Sequence, residues 1–245
     1  MDLFPAIDLR GGRVVRLAQG DYDRQTTYGR DPLDQARAFE SAGCRWLHAV
    51  DLDGARSGRM EHLSHIESIC KHTSLRVEVG GGVRHEGTIE KLLSSGVERV
   101  VLGTAALQNW GWFEKLMGNP SYRGRLVLGL DAKGGKLAVS GWEDTTELDA
   151  IDIARRVSDW PLAAIVYTDI ATDGMMTGPN VEATRDLAES THVPIVASGG
   201  VGTLDHIRRL AAWPLQGVIV GRAIYEDAFT VEQALAACEE ARSRT

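Results

Sequence analysis

Gly80-Gly81-Gly82-Val83 follows one short apolar run, and Ser198-Gly199-Gly200-Val201 follows another, 118 residues later. The same spacing separates Val50-Asp51 from Thr168-Asp169, and Leu102-Gly103-Thr104-Ala105 from Val220-Gly221-Arg222-Ala223. Asp8 and Asp131 form a fourth pair at a spacing of 123. A constant offset across separate motifs marks an internal duplication. The chain is therefore read as one domain, 1–245, made of two similar halves, approximately 1–122 and 123–245.

Working outward from these motifs, eight apolar runs carry strand character. They are Leu3 to Ile7, Arg45 to Val50, Leu75 to Val79, Val97 to Leu102, Leu126 to Leu130, Ala163 to Thr168, Pro194 to Ala197 and Gly217 to Val220. They are rich in Val, Ile and Leu and lack a clean polar alternation, which suits parallel strands buried on both faces. Helical stretches fall between them. Asp31-Pro32 opens the first, with Pro at the first helical position, and Gly43 closes it. Others carry Leu63, Ile66 and Cys70, then Ile89, Leu92 and Leu93, or cover 110–118 and 149–159. Val181 to Thr191, Leu204 to Ala212 and Val231 to Arg242 supply the last three. Eight strand–helix units predict an α/β fold, a (β/α)8 TIM barrel built from two similar half-barrels. An open doubly wound sheet is the alternative, and the lack of a mid-chain linker favours closure.

Composition narrows the function. Hydrophobic residues at 43% and charged residues at 25% exclude a disordered or fibrous chain. A net charge of −7 argues against nucleic-acid or membrane partners, whose phosphates attract Lys and Arg. A small anionic substrate stays compatible, because local geometry overrides net charge. Cys44, Cys70 and Cys238 are odd in number and far apart, with no C-x-x-C pair, so neither disulfides nor a zinc knuckle is expected. A reducing cytoplasm fits this usage. The N-terminus has no signal-peptide pattern, and no apolar run reaches 18 residues. No H-E-x-x-H, clustered Cys/His set or G-x-G-x-x-G appears, so no metal and no cofactor is expected. The protein is read as a monomer.

In barrels of this kind the loops at the strand C-termini build the active site. Gly81 and Gly82, and Gly199 and Gly200, lie there. Each loop is followed one strand later by a second glycine, Gly103 or Gly221. Glycine lets the backbone approach a ligand, and successive amides near a helix start bind phosphate. The doubled pattern points to an elongated ligand with a phosphate at each end. Asp8 and Asp131 stand at strand C-termini, where a carboxylate reads as catalytic, or else as a buried acid holding a loop. Thr168 and Asp169 are adjacent, so only one faces inward. Asp173 precedes Gly174 as either an acid over the mouth or a plain turn, and the residues leave Asp169 and Asp173 equal candidates. His48 is either a substrate contact or a satisfied core histidine. Trp142 either stacks on a planar base or caps the rim. Lys133 and Lys136 read as solvated loop lysines, and His62 and His65 as a solvated helix face. The long segment Leu9–Arg30 reads as a lid or a mobile surface loop.

Larger motifs carry a resemblance. Pro5-Ala6-Ile7-Asp8-Leu9 with Gly11-Gly12, Val14-Val15-Arg16-Leu17 and Gln19-Gly20-Asp21 is similar to the opening of one isomerase family of histidine biosynthesis. His48-Ala49-Val50-Asp51-Leu52-Asp53-Gly54-Ala55, Gly80-Gly81-Gly82-Val83-Arg84 and Gly103-Thr104-Ala105 continue it. Tyr167-Thr168-Asp169-Ile170, Asp173-Gly174, Gly178-Pro179-Asn180, Ser198-Gly199-Gly200-Val201 and Gly221-Arg222-Ala223-Ile224-Tyr225 complete it in family order. The family is the phosphoribosylformimino-5-aminoimidazole carboxamide ribotide isomerases, and the match runs essentially end to end. The resemblance implies a metal-free, cofactor-free Amadori rearrangement of a bisphosphorylated aminoaldose. It implies Asp8 as general base and Asp173 as general acid, supported by Asp131 and Thr168. Substrate contacts are expected from Arg16, His48, Gly81, Gly82, Arg84, Gly103, Thr104, Trp142, Ser198, Gly199, Gly200, Gly221 and Arg222.

Three rivals share parts of this pattern. A dual isomerase would also accept phosphoribosylanthranilate, but the stretch Ala138-Val139-Ser140-Gly141-Trp142 lacks the arginine expected beside its tryptophan. The sister cyclase shares the doubled barrel, whereas the surroundings of Gln19-Gly20-Asp21 and Asp173-Gly174 resemble the isomerase. A binding protein that has lost activity would not need Asp8 and Asp173. Met175-Met176 departs from the family pattern, where a threonine is more usual.

Overall fold

The computed structural model describes residues 1–142 and 144–240. Eight parallel strands form the barrel: β1 (Asp2–Arg10), β4 (Trp46–Asp51), β5 (Arg76–Gly80), β6 (Arg99–Leu102), β7 (Leu126–Lys133), β10 (Ala164–Asp169), β11 (Ile195–Ser198) and β12 (Gly217–Val220). Each pairs with the next, β1 pairs with β12, and β7 pairs with β10, so the sheet closes. All eight strand runs read from the sequence form these strands. Four further strands were not read from it. β2 (Arg13–Ala18) and β3 (Asp21–Tyr28) make a hairpin on β1, and β8 (Lys136–Val139) and β9 (Asp144–Asp149) make one on β7. The segment Leu9–Arg30 is thus chiefly strand rather than an irregular loop. Only Val14, Val15 and Leu17 of this hairpin are buried, and β3 is almost wholly exposed, so its apolar signal was faint.

The helices cover the barrel: α1 (Pro32–Ser41), α2 (Leu52–Ser57), α3 (Leu63–His72), α4 (Glu86–Ser94), α5 (Thr104–Gln108), α6 (Trp110–Met117), α7 (Ala150–Arg156), α8 (Val181–Glu189), α9 (Leu204–Ala211), α10 (Arg222–Tyr225) and α11 (Val231–Glu240). α1 starts as its sequence dictates: Pro32 opens it, and the Asp31 side chain accepts a hydrogen bond of 2.8 Å from the Leu33 amide. The expected extension of α11 to Arg242 lies outside the described residues. α2, α5 and α10 are too short to show a helical period and were not foreseen. Among the described residues no helix is long and apolar enough to cross a membrane.

Alternation along each strand splits the buried side chains into two cores. Ile7, Leu47, Val77, Val100, Leu128, Ile165, Ile195 and Val218 face the helices. Phe4, Ala6, Trp46, Val127, Ala164, Val166, Val196 and Ile219 fill the interior. Phe4 and Trp46 stack with ring centroids 4.9 Å apart and plug the lower half. Gly217 opposite leaves room for Phe4, since a Cβ there would collide with the ring. The plug is what sets the depth at which the interior stops being apolar. Phe4→Ala is expected to lower the unfolding free energy by about 3–5 kcal/mol in urea titration, the usual cost of emptying a phenylalanine site. A loss below about 1 kcal/mol would mean that the interior relaxes around the void.

Candidate active site

Above the plug the strands carry two interior rows. In the lower row, Ala6, His48, Glu78 and Arg99 stand side by side in register. One step up, Asp8, Val50 and Gly80 face Asp131, Thr168 and Ser198 around the rim. The rim therefore holds two carboxylates on opposite sides, one from each half.

Asp8 is ion-paired. Arg16 reaches back from β2, and its Nη1 lies 2.8 Å from Asp8 Oδ2. The same guanidinium donates to the Ala6 carbonyl and lies over the Tyr225 ring at 5.3 Å. The Tyr225 hydroxyl donates to that carbonyl too, at 2.9 Å. Asp131 is held by two donors, the Thr168 hydroxyl and the Trp142 Nε1–H at 2.9 Å. Burial raises its pKa, and both donors and the charge of His48 oppose the rise. Asp173 stands on the loop after β10. Burial, reinforced by the charge of Asp8, pushes its pKa from 3.8 to about 7, against the pull of Arg16. One mouth thus holds a carboxylate paired with a guanidinium and a second acid that keeps its proton near neutrality.

The first hairpin closes over this mouth. Its tip residue Gln19 donates from its amide to the Asp173 carbonyl at 3.2 Å and from Nε2 to the Ala171 carbonyl at 2.9 Å. Gly20 lies flat against the Trp142 ring, where a Cβ would fall 2.5 Å from a ring carbon. The hairpin tip is therefore seated over the mouth, and Trp142 bridges it to Asp131. Arg16, Arg24 and Arg222 line a cavity of about 300 Å3 under the hairpin with Leu17, Ala18, Gln25 and Thr26. Arg16 packs directly on Gly221. Arg222 donates to the Gly174 carbonyl at 2.8 Å and ties the Asp173 loop to α10. Met176 adopts φ +59° and its backbone packs against Gly202; nothing in the structure explains the Met175-Met176 departure.

The two glycine loops have matching backbones. Gly81 and Gly199 take φ +95° and +96°, and Gly82 and Gly200 take +72° and +82°. A Cβ on Gly199 would fall 2.7 Å from the Asp169 carbonyl, so the loop needs glycine for space as well as for φ. Gly103 and Gly221 lead directly into α5 and α10. Thr104 accepts the Ser140 amide at 3.1 Å, which joins α5 to the second hairpin. Arg84 turns towards α2, over Gly58, and donates to the Ala55 carbonyl at 3.1 Å.

A family model described as histidine biosynthesis protein matches residues 2–230. The chain belongs to the histidine biosynthesis protein family. It is 46% identical over 237 residues to a protein of Paramagnetospirillum magneticum, spanning 96% of this chain and 98% of that one. It is 47% identical over 243 residues to one of Syntrophobacter fumaroxidans, spanning 98% and 94%. A relative from Bacillus subtilis is 42% identical over 236 residues, spanning 95% and 96%. All three are named 1-(5-phosphoribosyl)-5-((5-phosphoribosylamino)methylideneamino) imidazole-4-carboxamide isomerase.

Within this family frame, Asp169 and Asp173 take different jobs. Asp169 is buried and used up: it accepts the Ala171 amide at 3.0 Å and Asn180 Nδ2 at 2.8 Å. Asp51, its counterpart 118 residues earlier, accepts the amides of Gly54, Glu61 and His62 at 2.7–2.8 Å. Both are loop-holding acids that face outward beneath their loops. His62 and His65 do not form a solvated face. His62 Nε2 lies 2.6 Å from Asp53 Oδ2, its side chain is only 12% exposed, and His65 Nδ1 is buried. Lys133 is exposed as read but ends β7 rather than lying in a loop, and Lys136 is half-buried at the start of β8, where its Nζ donates to the Glu147 carbonyl at 3.1 Å. Sequence reasoning passed over Glu78, Arg99 and Arg24. The one available signal for Glu78 was a lone acid within Val77-Glu78-Val79, a run expected to be buried on both faces.

Asp169→Ala leaves two donors without their acceptor and is expected to cost about 2–6 kcal/mol, at about 1–3 per donor. Asp173→Asn behaves oppositely. The folded pKa of Asp173 exceeds its unfolded value, so native protein binds more protons between pH 3.8 and about 7 and loses stability as pH rises through that window. The asparagine variant is therefore expected to gain stability relative to wild type between pH 5 and pH 8. Urea midpoints at both pH values check it, and a flat or shrinking difference would contradict the burial of that carboxyl.

Proposed function

We propose that this chain catalyses the aldose–ketose isomerisation for which its family relatives are named, with Asp8 as general base and Asp173 as general acid. The observation that carries this reading is the pair of acids in one mouth with opposite protonation demands. The substrate is an aminoaldose with a phosphoribosyl group at each end. Protonated Asp173 gives its proton to the ribose ring oxygen. The C1–O bond breaks as the nitrogen lone pair forms C=N, and the ring opens to a Schiff base. Asp8, ion-paired with Arg16, takes the proton from C2 and leaves an enolamine. Asp8 then returns that proton to C1 while the C2 hydroxyl gives its proton to Asp173, which yields the aminoketose, restores both acids and leaves no atom gained or lost. Asp131, held by Thr168 and Trp142, supports this centre, and His48 contacts the substrate beside it.

Anchoring at both ends holds the reacting carbon between the acids, a positioning effect. One phosphate is assigned to Ser198, Gly199, Gly200, Gly221 and Arg222, where Arg16 and Arg24 add positive charge. The other is assigned to Gly81, Gly82, Arg84, Gly103 and Thr104. The closed hairpin supports a lid that excludes water from the Schiff base. The acid and base work rests on side chains, so turnover is expected to survive a chelator.

Turnover of the purified protein on the formimino ribotide tests the reading, with phosphoribosylanthranilate in parallel. Product from the first alone supports the single-substrate isomerase, product from both a dual one, and product from neither removes the proposal. Asp8→Asn and Asp173→Asn are each expected to lower kcat by about 10³-fold or more with the fold intact, since each removes one proton-transfer group. Wild-type kcat/KM should fall above about pH 7, as Asp173 loses the proton it must donate, and Asp173→Asn should lack that limb. Near-normal turnover in either variant strips that residue of its role.

A further inference from the structure

The duplicated barrel contains its own control for one polar pair. Glu78 has no solvent exposure, and its Oε1 lies 2.8 Å from His48 Nδ1. Glu78 Oε2 has no hydrogen-bond partner. The nearest cation is Arg99, whose Nη1 is 3.9 Å away. Arg99 is engaged elsewhere, stacked on Trp46 at 4.2 Å and donating to Gln216 at 3.0 Å. A carboxylate in such a place is costly to desolvate, and replacing a buried ionic pair by apolar side chains is often neutral or stabilising.

The other half of the barrel makes that replacement. At the spacing of 118, His48, Glu78 and Arg99 correspond to Val166, Val196 and Gly217. The register is the same in both halves: His48 pairs with Glu78 and Glu78 with Arg99, as Val166 pairs with Val196 and Val196 with Gly217. Ala6 flanks His48 as Gly129 flanks Val166. Two valines therefore fill this layer of this fold, and packing does not call for a histidine and a glutamate.

What the pair does is set by the chemistry of imidazole. An ionised carboxylate only accepts hydrogen bonds, so Nδ1 must carry the proton. Nε2 has no hydrogen-bond partner among the described residues, and the His48 side chain keeps 11% of its surface open. The rim directly above carries the acids, and His48 lies within electrostatic reach of Asp131. We propose that Glu78 is a positioning residue for the isomerisation: it fixes His48 in the Nδ1–H form and presents Nε2 to the substrate beside Asp131. This rests on the isomerase reading above.

The test has two arms. In the first, long-range ¹H–¹⁵N NMR of wild-type protein reads the protonation of each His48 nitrogen, assigned by loss of its signals in His48→Val. A protonated Nδ1 is expected. A bare Nδ1 with a protonated Nε2 overturns the proposal, because Glu78 would then be the donor. In the second arm, Glu78→Gln is expected to lower kcat by about tenfold or more, the usual scale for a residue that orients a functional histidine, with KM changed less than about threefold. The double variant His48→Val/Glu78→Val copies the other half of the barrel. It is expected to fold with an unchanged or higher Tm and to lose turnover at least as far as Glu78→Gln. Wild-type kcat in either variant overturns the proposal. So does a double variant that fails to fold, since the pair would then be structural. A wild-type control inactive on the ribotide overturns the isomerase reading itself, and the NMR arm still reports the state of His48.

Discussion

Barrel closure governs every other feature of this molecule. Once β7 pairs with β10 and β1 with β12, each second residue on eight strands is committed to one shared interior, and the intervening ones to the helices. A side chain on the interior cannot turn to solvent except at the ends. The lower end is sealed by Phe4 and Trp46, so polar interior residues are usable only towards the C-terminal ends of the strands. Asp8, Asp131 and Thr168 lie at that end.

Closure also sets the electrostatics. The mouth is narrow and lined by protein, so charge within it is poorly solvated, and each acid depends on its immediate partners. Asp8 has Arg16 at 2.8 Å. Asp173 has no cation that close, faces the charge of Asp8, and keeps its proton to about pH 7. The same residue type is thus held in two different states through one guanidinium delivered by a hairpin. That hairpin also bears the tip that seats against Ala171, Asp173 and Trp142, so the cover of the mouth and the partner of Asp8 share one element.

The two halves repeat the same backbone and fill it differently. The glycine loops match in φ to within about 10°, and the Asp51 and Asp169 side chains hold the loops that follow their own strands. At the rim the second half is the more polar, with Thr168 and Ser198 facing Val50 and Gly80. One layer down the first half is the more polar, with His48 and Glu78 facing Val166 and Val196. On the proposed reading, the matched loops suit a ligand with two similar ends, and the unlike interiors suit a reacting centre that needs different groups on its two sides.

Much of this was legible in the residues. The eight strands, their parallel order and the repeat at 118 follow from apolar runs and motif spacing, which are local properties. Asp8 and Asp131 were legible because alternation along a strand assigns a face without knowledge of its neighbours. The hairpins were not, because β3 and β9 are exposed and have no apolar signature. Glu78 was passed over because one acid inside a buried run has meaning only beside His48, which is 30 residues away. The choice between Asp169 and Asp173 rested at first on family likeness, since both sit near one strand end. The tertiary structure separates them physically: Asn180 and the Ala171 amide saturate Asp169, while the fold brings Asp173 against Asp8 and Arg16. Sequence alone determined which residues lie on which face of which strand, because that is a matter of period. Only the tertiary structure decided which acids are paired, buried or spent on hydrogen bonds, because those states depend on distances between segments far apart in the chain.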